Sequence, residues 1–262
     1  MPETGLNDGG GYMTSAVREK GGVIVTGASR GIGAAIAERL ADDGYGVIVN
    51  YSADSDGADS VVARIRAKGG RAVTARADVA SEDDVEAMFD RAQEQMGPLT
   101  ALVNNAGTLG EQARIDERDA DELTRLMQVN VVGPIVCAKH AVRAMSTARG
   151  GKGGSIVNIA SGAARFPGGL PGVIPYASTK GALVTFARGL STEVASEGIR
   201  VNSVSPGIIE TDMAFPEAKD AAKRSPLGRM GRPDEIAATV SWLISPEASF
   251  VTGSDISVSG GL

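Results

Sequence analysis

Short apolar runs alternate with helical patterns from residue 22 to the end of this 262-residue chain. Runs such as ALVNN and SIVNIA are apolar at successive positions, as in strands buried on both faces. This alternation predicts one doubly wound α/β domain over residues 21–262, with a parallel sheet of about seven strands and helices on both faces. The expected strands are 22–26, 46–51, 71–76, 99–103, 154–160, 199–205 and 254–258, and the expected helices are 31–43, 56–68, 82–96, 119–149, 175–197 and 233–245.

Composition narrows the function classes. The 26 basic and 32 acidic residues give a net charge of -6, which carries no footprint of nucleic-acid binding. One cysteine and one histidine exclude an internal disulfide and a Cys- or His-based metal site, and they fit the reducing cytoplasm. No apolar stretch approaches the roughly 18 residues of a membrane span. Residues 1–20 are polar and glycine-rich without the apolar core of a signal peptide, so we expect a disordered leader.

The turn after the first strand has two interpretations. Its GASRG sequence, residues 27–31, matches the G-x-S-x-G elbow that carries the nucleophile of serine hydrolases. That chemistry needs a histidine base late in the chain, whereas the only histidine, His140, lies mid-chain in a helical pattern. Ser29 therefore has no evident catalytic partner, and the hydrolase remains a remote alternative.

The second interpretation is a phosphate-binding turn. Gly27, Gly31 and Gly33 depart from the common G-x-G-x-x-G spacing of dinucleotide-binding proteins. Glycines still allow the backbone to approach a pyrophosphate, and the following helix would direct its N-terminal N–H groups at that anion. This stretch therefore predicts a nucleotide cofactor.

The end of the second strand bears on cofactor choice. NAD-binding proteins usually place an acid there to hold the ribose 2′-hydroxyl, whereas this strand ends with Asn50, Tyr51 and Ser52. Arg30 in the first turn offers a guanidinium for bidentate phosphate binding. We therefore expect NADP(H) to be favoured over NAD(H), with Asp54 as the residue that argues against it.

Tyr176 and Lys180, in YASTK, are four residues apart and share one face of a predicted helix. A tyrosine with a pKa of about 10 is a poor base near neutral pH, and lowering its pKa to ~7 requires about 4 kcal/mol. A neighbouring ammonium and a positively charged nicotinamide can supply energy of that size. Ser161 follows a strand and would emerge at the carboxyl edge of the sheet, where ligands bind. These residues predict a catalytic group.

Together the motifs resemble those of short-chain dehydrogenases/reductases, including 3-oxoacyl-(acyl-carrier-protein) reductase-like and glucose dehydrogenase-like members. The resemblance implies a Rossmann-type fold and hydride transfer between nicotinamide and a carbonyl or secondary-alcohol substrate. It extends from about residue 22 to 262. The matching stretches are TGASRGIG, ADV at 77–79, NNAG at 104–107, MQVN at 127–130, IVNIAS at 156–161, YASTK, SPGIIET at 205–211 and VTGSDISVSGG.

The same resemblance implies the roles of individual residues. Tyr176 would be the acid/base, with Lys180 lowering its pKa and binding the nicotinamide ribose, and Ser161 would position the carbonyl. Asn130 would be the fourth catalytic residue. Asp78 and Val79 would hold the adenine, Asn104 the central strand, and Ile209 and Thr211 the nicotinamide carboxamide. The full set of expected cofactor contacts is Gly27, Ser29, Arg30, Gly31, Ile32, Gly33, Asn50, Tyr51, Ser52, Asp78, Val79, Asn104, Ala106, Gly107, Tyr176, Lys180, Pro206, Gly207, Ile209 and Thr211, with no metal ligand.

Pro134 lies four residues after Asn130 and has no N–H, so the carbonyl of Asn130 would lose its donor within a helix. The helix should kink there. The freed carbonyl would then hold a water that links Lys180 to solvent, or Pro134 would only bend a long helix around the sheet.

Substrate identity stays open between 3-oxoacyl thioesters, sugars, ketones and steroids. Residues 208–233 fall where the family carries a substrate lid, and Met213, Phe215 and Pro216 would form its apolar roof. The family also implies a homotetramer, built through the helices at 119–149 and 175–197 and through the last helix and strand. A non-catalytic NADP-binding regulator is the alternative, although such proteins typically lose Tyr or Lys.

Overall fold

The computed structural model describes residues 20–165, 171–212, 220, 222, 223 and 225–262. Seven parallel strands form one sheet in the order β3-β2-β1-β4-β5-β6-β7. Their bounds are Lys20–Val25 (β1), Tyr45–Tyr51 (β2), Arg71–Arg76 (β3), Leu99–Asn104 (β4), Gly154–Ile159 (β5), Ile199–Pro206 (β6) and Asp255–Val258 (β7). The predicted doubly wound sheet is confirmed, although the expected leader reached residue 20, where β1 begins.

Seven α-helices lie within the described part of the chain. They are Gly31–Asp42 (α1), Ser55–Ala67 (α2), Glu82–Met96 (α3), Ala120–Met127 (α4), Gly133–Met145 (α5), Ile174–Val194 (α6) and Pro233–Ile244 (α7). The core of one sheet face is formed with α1, α2 and α7, and that of the other with α3, α5 and α6. The strands supply both cores because their apolar side chains alternate between the two faces.

The single helix expected over 119–149 is wrong. A π-helical turn, Gln128–Val132, separates α4 from α5, and the backbone N–H of Gly133 bonds to the carbonyl of Gln128. A separate 3₁₀ turn, Thr147–Arg149, follows α5. The interruption lies at Asn130, close to the kink expected from Pro134, but Pro134 itself occupies the first turn of α5.

The order of the strands in the sheet indicates where a ligand would bind. From β1 the chain runs outward through β2 and β3, then crosses back to β4 on the other side of β1. Ligands of open α/β sheets bind at such a reversal, beyond the carboxyl ends of the strands. The loops after β1, β4, β5 and β6 all emerge at this edge, because the strands are parallel.

Candidate active site

The turn after β1 has the backbone that its glycines predict. Gly27 and Gly31 adopt φ values of 60° and 57°, a region that other residues rarely occupy. A side chain on Gly33 would lie 2.4 Å from the carbonyl oxygen of Gly27, so the third glycine permits α1 to pack closely on the turn. No side chain caps the N-terminus of α1. This turn therefore offers an anion both close backbone approach and N–H groups, which fits a pyrophosphate.

Two polar residues outside the expected set hold the turn against β4. The hydroxyl of Thr26 accepts the backbone N–H groups of Asn105 and Ala106, each at 3.0 Å. The Asn105 amide donates to the carbonyls of Thr26 and Gly27, both at 2.9 Å. Both residues lie within the quoted motifs TGASRGIG and NNAG, which was the only signal of their role. Ala106 and Gly107, expected cofactor contacts, follow them and are half-buried at the same edge.

Asn50 is buried beneath the turn instead of facing a ligand. Its Oδ1 accepts the N–H of Gly27 at 3.0 Å, and its Nδ2 donates to the carbonyls of Ala75 and Ala77, both at 3.1 Å. The side chain thus joins the glycine turn to β2 and β3. The structure gives Asn50 a supporting place, behind the expected cofactor surface.

The remaining residues of the expected 2′-phosphate region are accessible. Arg30 and Ser52 are exposed, and Tyr51 and Ser29 are partly buried. The guanidinium of Arg30 makes no hydrogen bond or ion pair with any residue that the structure describes. Asp54, the residue against NADP(H), caps α2 by accepting the N–H of Gly57 at 3.0 Å. Its carboxylate is therefore already hydrogen-bonded as the N-cap of a helix.

Asp78 and Val79 follow β3 at the expected adenine region. The carboxylate of Asp78 accepts the N–H of Ala80 at 3.0 Å and a hydrogen bond from Arg125 of α4 at 2.6 Å. These bonds hold the pKa of Asp78 below its usual value, although burial opposes them. Arg125 was not predicted, since 47 residues of sequence separate the pair.

Asn104 ends β4 and is almost fully buried. Its Nδ2 donates to Asn158 Oδ1 of β5 at 2.9 Å and to the carbonyl of Pro134 at 3.1 Å. It therefore fastens the start of α5 to the two central strands, which is the structural place that the family resemblance implies.

Ser161, Tyr176 and Lys180 come together at the carboxyl end of β5. The hydroxyl of Ser161 lies near Tyr176 and accepts the N–H of Ala163 at 3.1 Å. Lys180 Nζ lies 5.7 Å from the centre of the Tyr176 ring and donates to the carbonyl of Ile159 at 2.9 Å. A serine, a tyrosine and a lysine that are distant in sequence thus form one cluster.

Burial dominates the proton affinities of this cluster. It raises the pKa of Tyr176, and the hydrogen bond with Ser161 offsets only part of that effect. Desolvation lowers the pKa of the Lys180 ammonium to about 8. The expected lowering of the Tyr176 pKa toward 7 involves both the Lys180 ammonium and a positively charged nicotinamide, and it stays a prediction. The residues of the cluster hold Tyr176 as a protonated phenol at neutral pH, a form suited to donating a proton.

Asn130 lies in the π-helical turn and is fully buried. Its amide bonds to the backbone of Thr108 and to the hydroxyl of Thr179. A Cβ on Gly107 would lie 3.3 Å from Lys180 Nζ and 3.4 Å from Asn130 Oδ1, so Gly107 separates these two groups. The fourth expected catalytic residue is thus part of the same cluster.

The loop after β6 closes the site from the other side. Gly207 donates to Val258 at 3.0 Å, and Ile209 is buried and bridges to Gly231. The side chain of Thr211 lies 3.4 Å from where a Cβ on Gly31 would be, so the loop after Pro206 meets the glycine turn. Met213, Phe215 and Pro216 of the expected lid lie outside the described residues.

Among the described residues, no group of three or more His, Cys, Asp or Glu side chains is arranged to hold a metal ion. None of the helices in those ranges is long and apolar enough to cross a membrane.

Comparison with known proteins agrees with this geometry. The family model described as enoyl-(acyl carrier protein) reductase matches residues 27–262. Over 244 residues, 91% of the chain, the sequence is 44% identical to an uncharacterized oxidoreductase of Escherichia coli K12 and covers 98% of it. It is 38% identical to glucose 1-dehydrogenase 2 of Bacillus subtilis, covering 91% of this chain and 93% of that protein.

Solved structures show the same fold. A dehydrogenase/reductase from Sinorhizobium meliloti superposes with a TM-score of 0.87 at 36% identity, covering 93% of this chain and 95% of that one. A short-chain dehydrogenase from Burkholderia cenocepacia in complex with NADP has a TM-score of 0.85 at 36% identity, with 91% and 96% covered. This is an oxidoreductase fold with a nucleotide-binding edge. The chain belongs to the short-chain dehydrogenase/reductase family and is an NAD(P)-dependent enzyme of that family.

Proposed function

We propose that the chain catalyses reversible hydride transfer between NADP(H) and a carbonyl or secondary-alcohol substrate, with Tyr176 as the general acid/base. The observation that carries this proposal is the buried amine of Lys180, 5.7 Å from the Tyr176 ring, with Ser161 beside Tyr176. The nicotinamide, when bound, supplies or accepts the hydride. In the reduction direction Ser161 donates a hydrogen bond to the carbonyl oxygen, and Tyr176 delivers the proton to that oxygen.

The raised pKa of Tyr176 favours this assignment for reduction, since the phenol must carry its proton when the carbonyl accepts the hydride. The buried amine of Lys180, 5.7 Å from the ring, stabilises the phenolate that remains. In the reverse direction the positive charge of an oxidised nicotinamide adds to that stabilisation. Lys180 is also placed to bind the nicotinamide ribose.

An open apolar hollow is lined by Pro171, Ile174 and Pro175 at the start of α6 together with Ile115, and Arg114 is its one charged residue. Ser161, Tyr176 and Lys180 are not among its lining residues, so it does not discriminate between the candidate substrates.

The test is an NADPH-oxidation screen over a graded panel of ketones, 3-oxoacyl thioesters and sugars, with Tyr176→Phe as the matched variant. Phenylalanine keeps the ring and removes only the hydroxyl. We expect kcat to fall about 10²- to 10⁴-fold, the usual contribution of a general acid. NADPH affinity, measured by fluorescence titration, should stay within about twofold because the phenol is not needed to hold the phosphates. Undiminished turnover by Tyr176→Phe would overturn the mechanism.

The preference for NADP(H) is supported by the free guanidinium of Arg30 and by the engagement of Asp54 as a helix cap. Arg30→Ala should weaken binding of 2′,5′-ADP about 10-fold or more, the scale of a charge-assisted hydrogen-bonded pair, and leave 5′-AMP binding unchanged.

Asn50→Ala is the matched comparison for that experiment. Because Asn50 supports the turn and not the ribose, we expect this variant to weaken both nucleotides alike. Calorimetric titration measures the six affinities of the wild type and the two variants for the two nucleotides. Equal losses of the two nucleotides in Arg30→Ala would contradict the assignment of Arg30, and an equal preference of the wild type would contradict the choice of cofactor.

The quaternary structure we propose is a homotetramer. It is supported by exposed apolar side chains at the start of α5 and near the C-terminus, including Ile135, Trp242 and Phe250. Patches of this kind commonly mark subunit contacts.

A further inference from the structure

The amide of Asn130 is fully used inside the protein. Its Nδ2 donates to the carbonyl of Thr108 at 2.8 Å and to the hydroxyl of Thr179 at 3.1 Å. Its Oδ1 accepts the backbone N–H of Thr108 at 2.9 Å. An asparagine amide has two donor hydrogens, and both are taken here. The side chain is thus held in one orientation and is not free to bind a substrate.

Thr179 is a further member of this network. The residue is fully buried, and its hydroxyl donates its single hydrogen to the carbonyl of Tyr176 at 2.7 Å. That hydroxyl can therefore only accept from Asn130. Since an accepting hydroxyl requires the NH₂ side of the amide, Thr179 supports the same orientation of the Asn130 amide that the backbone N–H and carbonyl of Thr108 select.

We propose that Thr179 is a positioning residue for the reaction proposed above, on which this inference rests. Its hydroxyl joins the π-helical turn that carries Asn130 to the helical turn that carries Tyr176 and Lys180. Thr108, which follows Gly107 at the carboxyl edge of β4, also bonds to Asn130, so the network connects three segments of the chain. Removing the Thr179 hydroxyl leaves a buried N–H of Asn130 without an acceptor, and we expect the amide to shift in response.

The geometry explains why such a movement reaches the chemistry. Asn130 Oδ1 and Lys180 Nζ both lie next to Gly107. They are 3.4 and 3.3 Å from the position that a Cβ on Gly107 would occupy. A shift of the amide therefore changes the packing next to Lys180. Active sites are sensitive to small displacements, and about 1 Å can cost 10²-fold in rate.

The experiment compares Thr179→Val with Thr179→Ser. Valine keeps the shape and removes the hydroxyl, whereas serine keeps the hydroxyl and removes the methyl group. We expect Thr179→Val to lower kcat about 10- to 100-fold and to shift the pH dependence of kcat, with the KM for NADPH within about twofold. Thr179→Ser should restore most of the rate and the wild-type pH profile.

Thr192→Val is the control. Thr192 lies on the same helix and makes the same kind of bond, from its hydroxyl to the carbonyl of Arg188 at 3.3 Å, but it is exposed and far along α6. It should leave kcat, its pH dependence and hydrogen exchange unchanged. Any general effect of removing a threonine hydroxyl from α6 would appear in this variant.

Hydrogen exchange supplies a readout that does not need activity. The peptide containing Thr108 should exchange faster in Thr179→Val than in the wild type, because the Thr108 N–H is held by Asn130. If Thr179→Val keeps wild-type hydrogen exchange and wild-type kcat, the proposal is overturned. An equal loss of kcat in the valine and serine variants would overturn it as well. If the wild type reduces no carbonyl, the proposed function fails, and the exchange difference still decides whether Thr179 holds Asn130.

Discussion

At the scale of single residues, the amine of Lys180 lies in the interior, and its charge influences folding as well as chemistry. Burial lowers its pKa from 10.5 to about 8, which corresponds to about 3 kcal/mol against the folded state wherever the amine is protonated. Between these two values the unfolded chain binds more protons than the folded chain. The contribution of Lys180 to the free energy of unfolding therefore rises with pH across this window.

Replacing Lys180 with methionine removes that dependence. We expect the stability difference, wild type minus Lys180→Met, to be flat below about pH 8 and to grow by up to about 3 kcal/mol toward pH 10.5. The lost hydrogen bond to Ile159 adds an offset that does not vary with pH. Urea unfolding at fixed protein concentration measures both proteins at each pH, and a difference that stays constant across the window would contradict the buried, depressed amine.

At the scale of elements, the sequence predicts a helix or strand when the residues that determine it lie within that element. The strands are predicted to within two residues, since the central ones are buried on both faces and carry their own apolar signal. The turn between α4 and α5 carries no such signal. Its π-helical form goes with hydrogen bonds from Asn130 to residues 22 and 49 positions away, which no local periodicity can report.

The same distinction applies to the residues of the candidate site. Ser161, Tyr176 and Lys180 were predictable because each sits at a fixed place on a strand end or helix face. The inward turn of Asn50 was not, since its partners Ala75 and Ala77 lie at and just after the end of the neighbouring strand. The side chain adds to the backbone pairing at the ends of β2 and β3, and this depends on the register between the two strands.

At the scale of the whole molecule, two groups of exposed apolar side chains stand apart in the sequence. Met127, Val132 and Ile135 lie around the start of α5, with 39 to 49% of each residue exposed. Trp242, Phe250 and Leu262 lie in the last helix and the segments around β7, and Phe250 is fully exposed. Among the described residues β7 is also the last strand of the sheet, paired on one side only. Two separate surfaces of this kind fit a dimer of dimers, as in closed symmetric tetramers.

The two contacts can be broken independently. We expect Phe250→Asp and Ile135→Asp each to convert a tetramer into dimers, because a buried carboxylate without a partner costs several kcal/mol at every symmetric copy of the contact. Ser60→Asp, an exposed position on α2, adds the same charge elsewhere and should leave the mass unchanged. Sedimentation velocity gives the masses. Trp242 is the only tryptophan, so its emission should shift to the red in Phe250→Asp if the C-terminal contact covers it. A single-chain mass for the wild type, or tetramers in both aspartate variants, would rule out this arrangement.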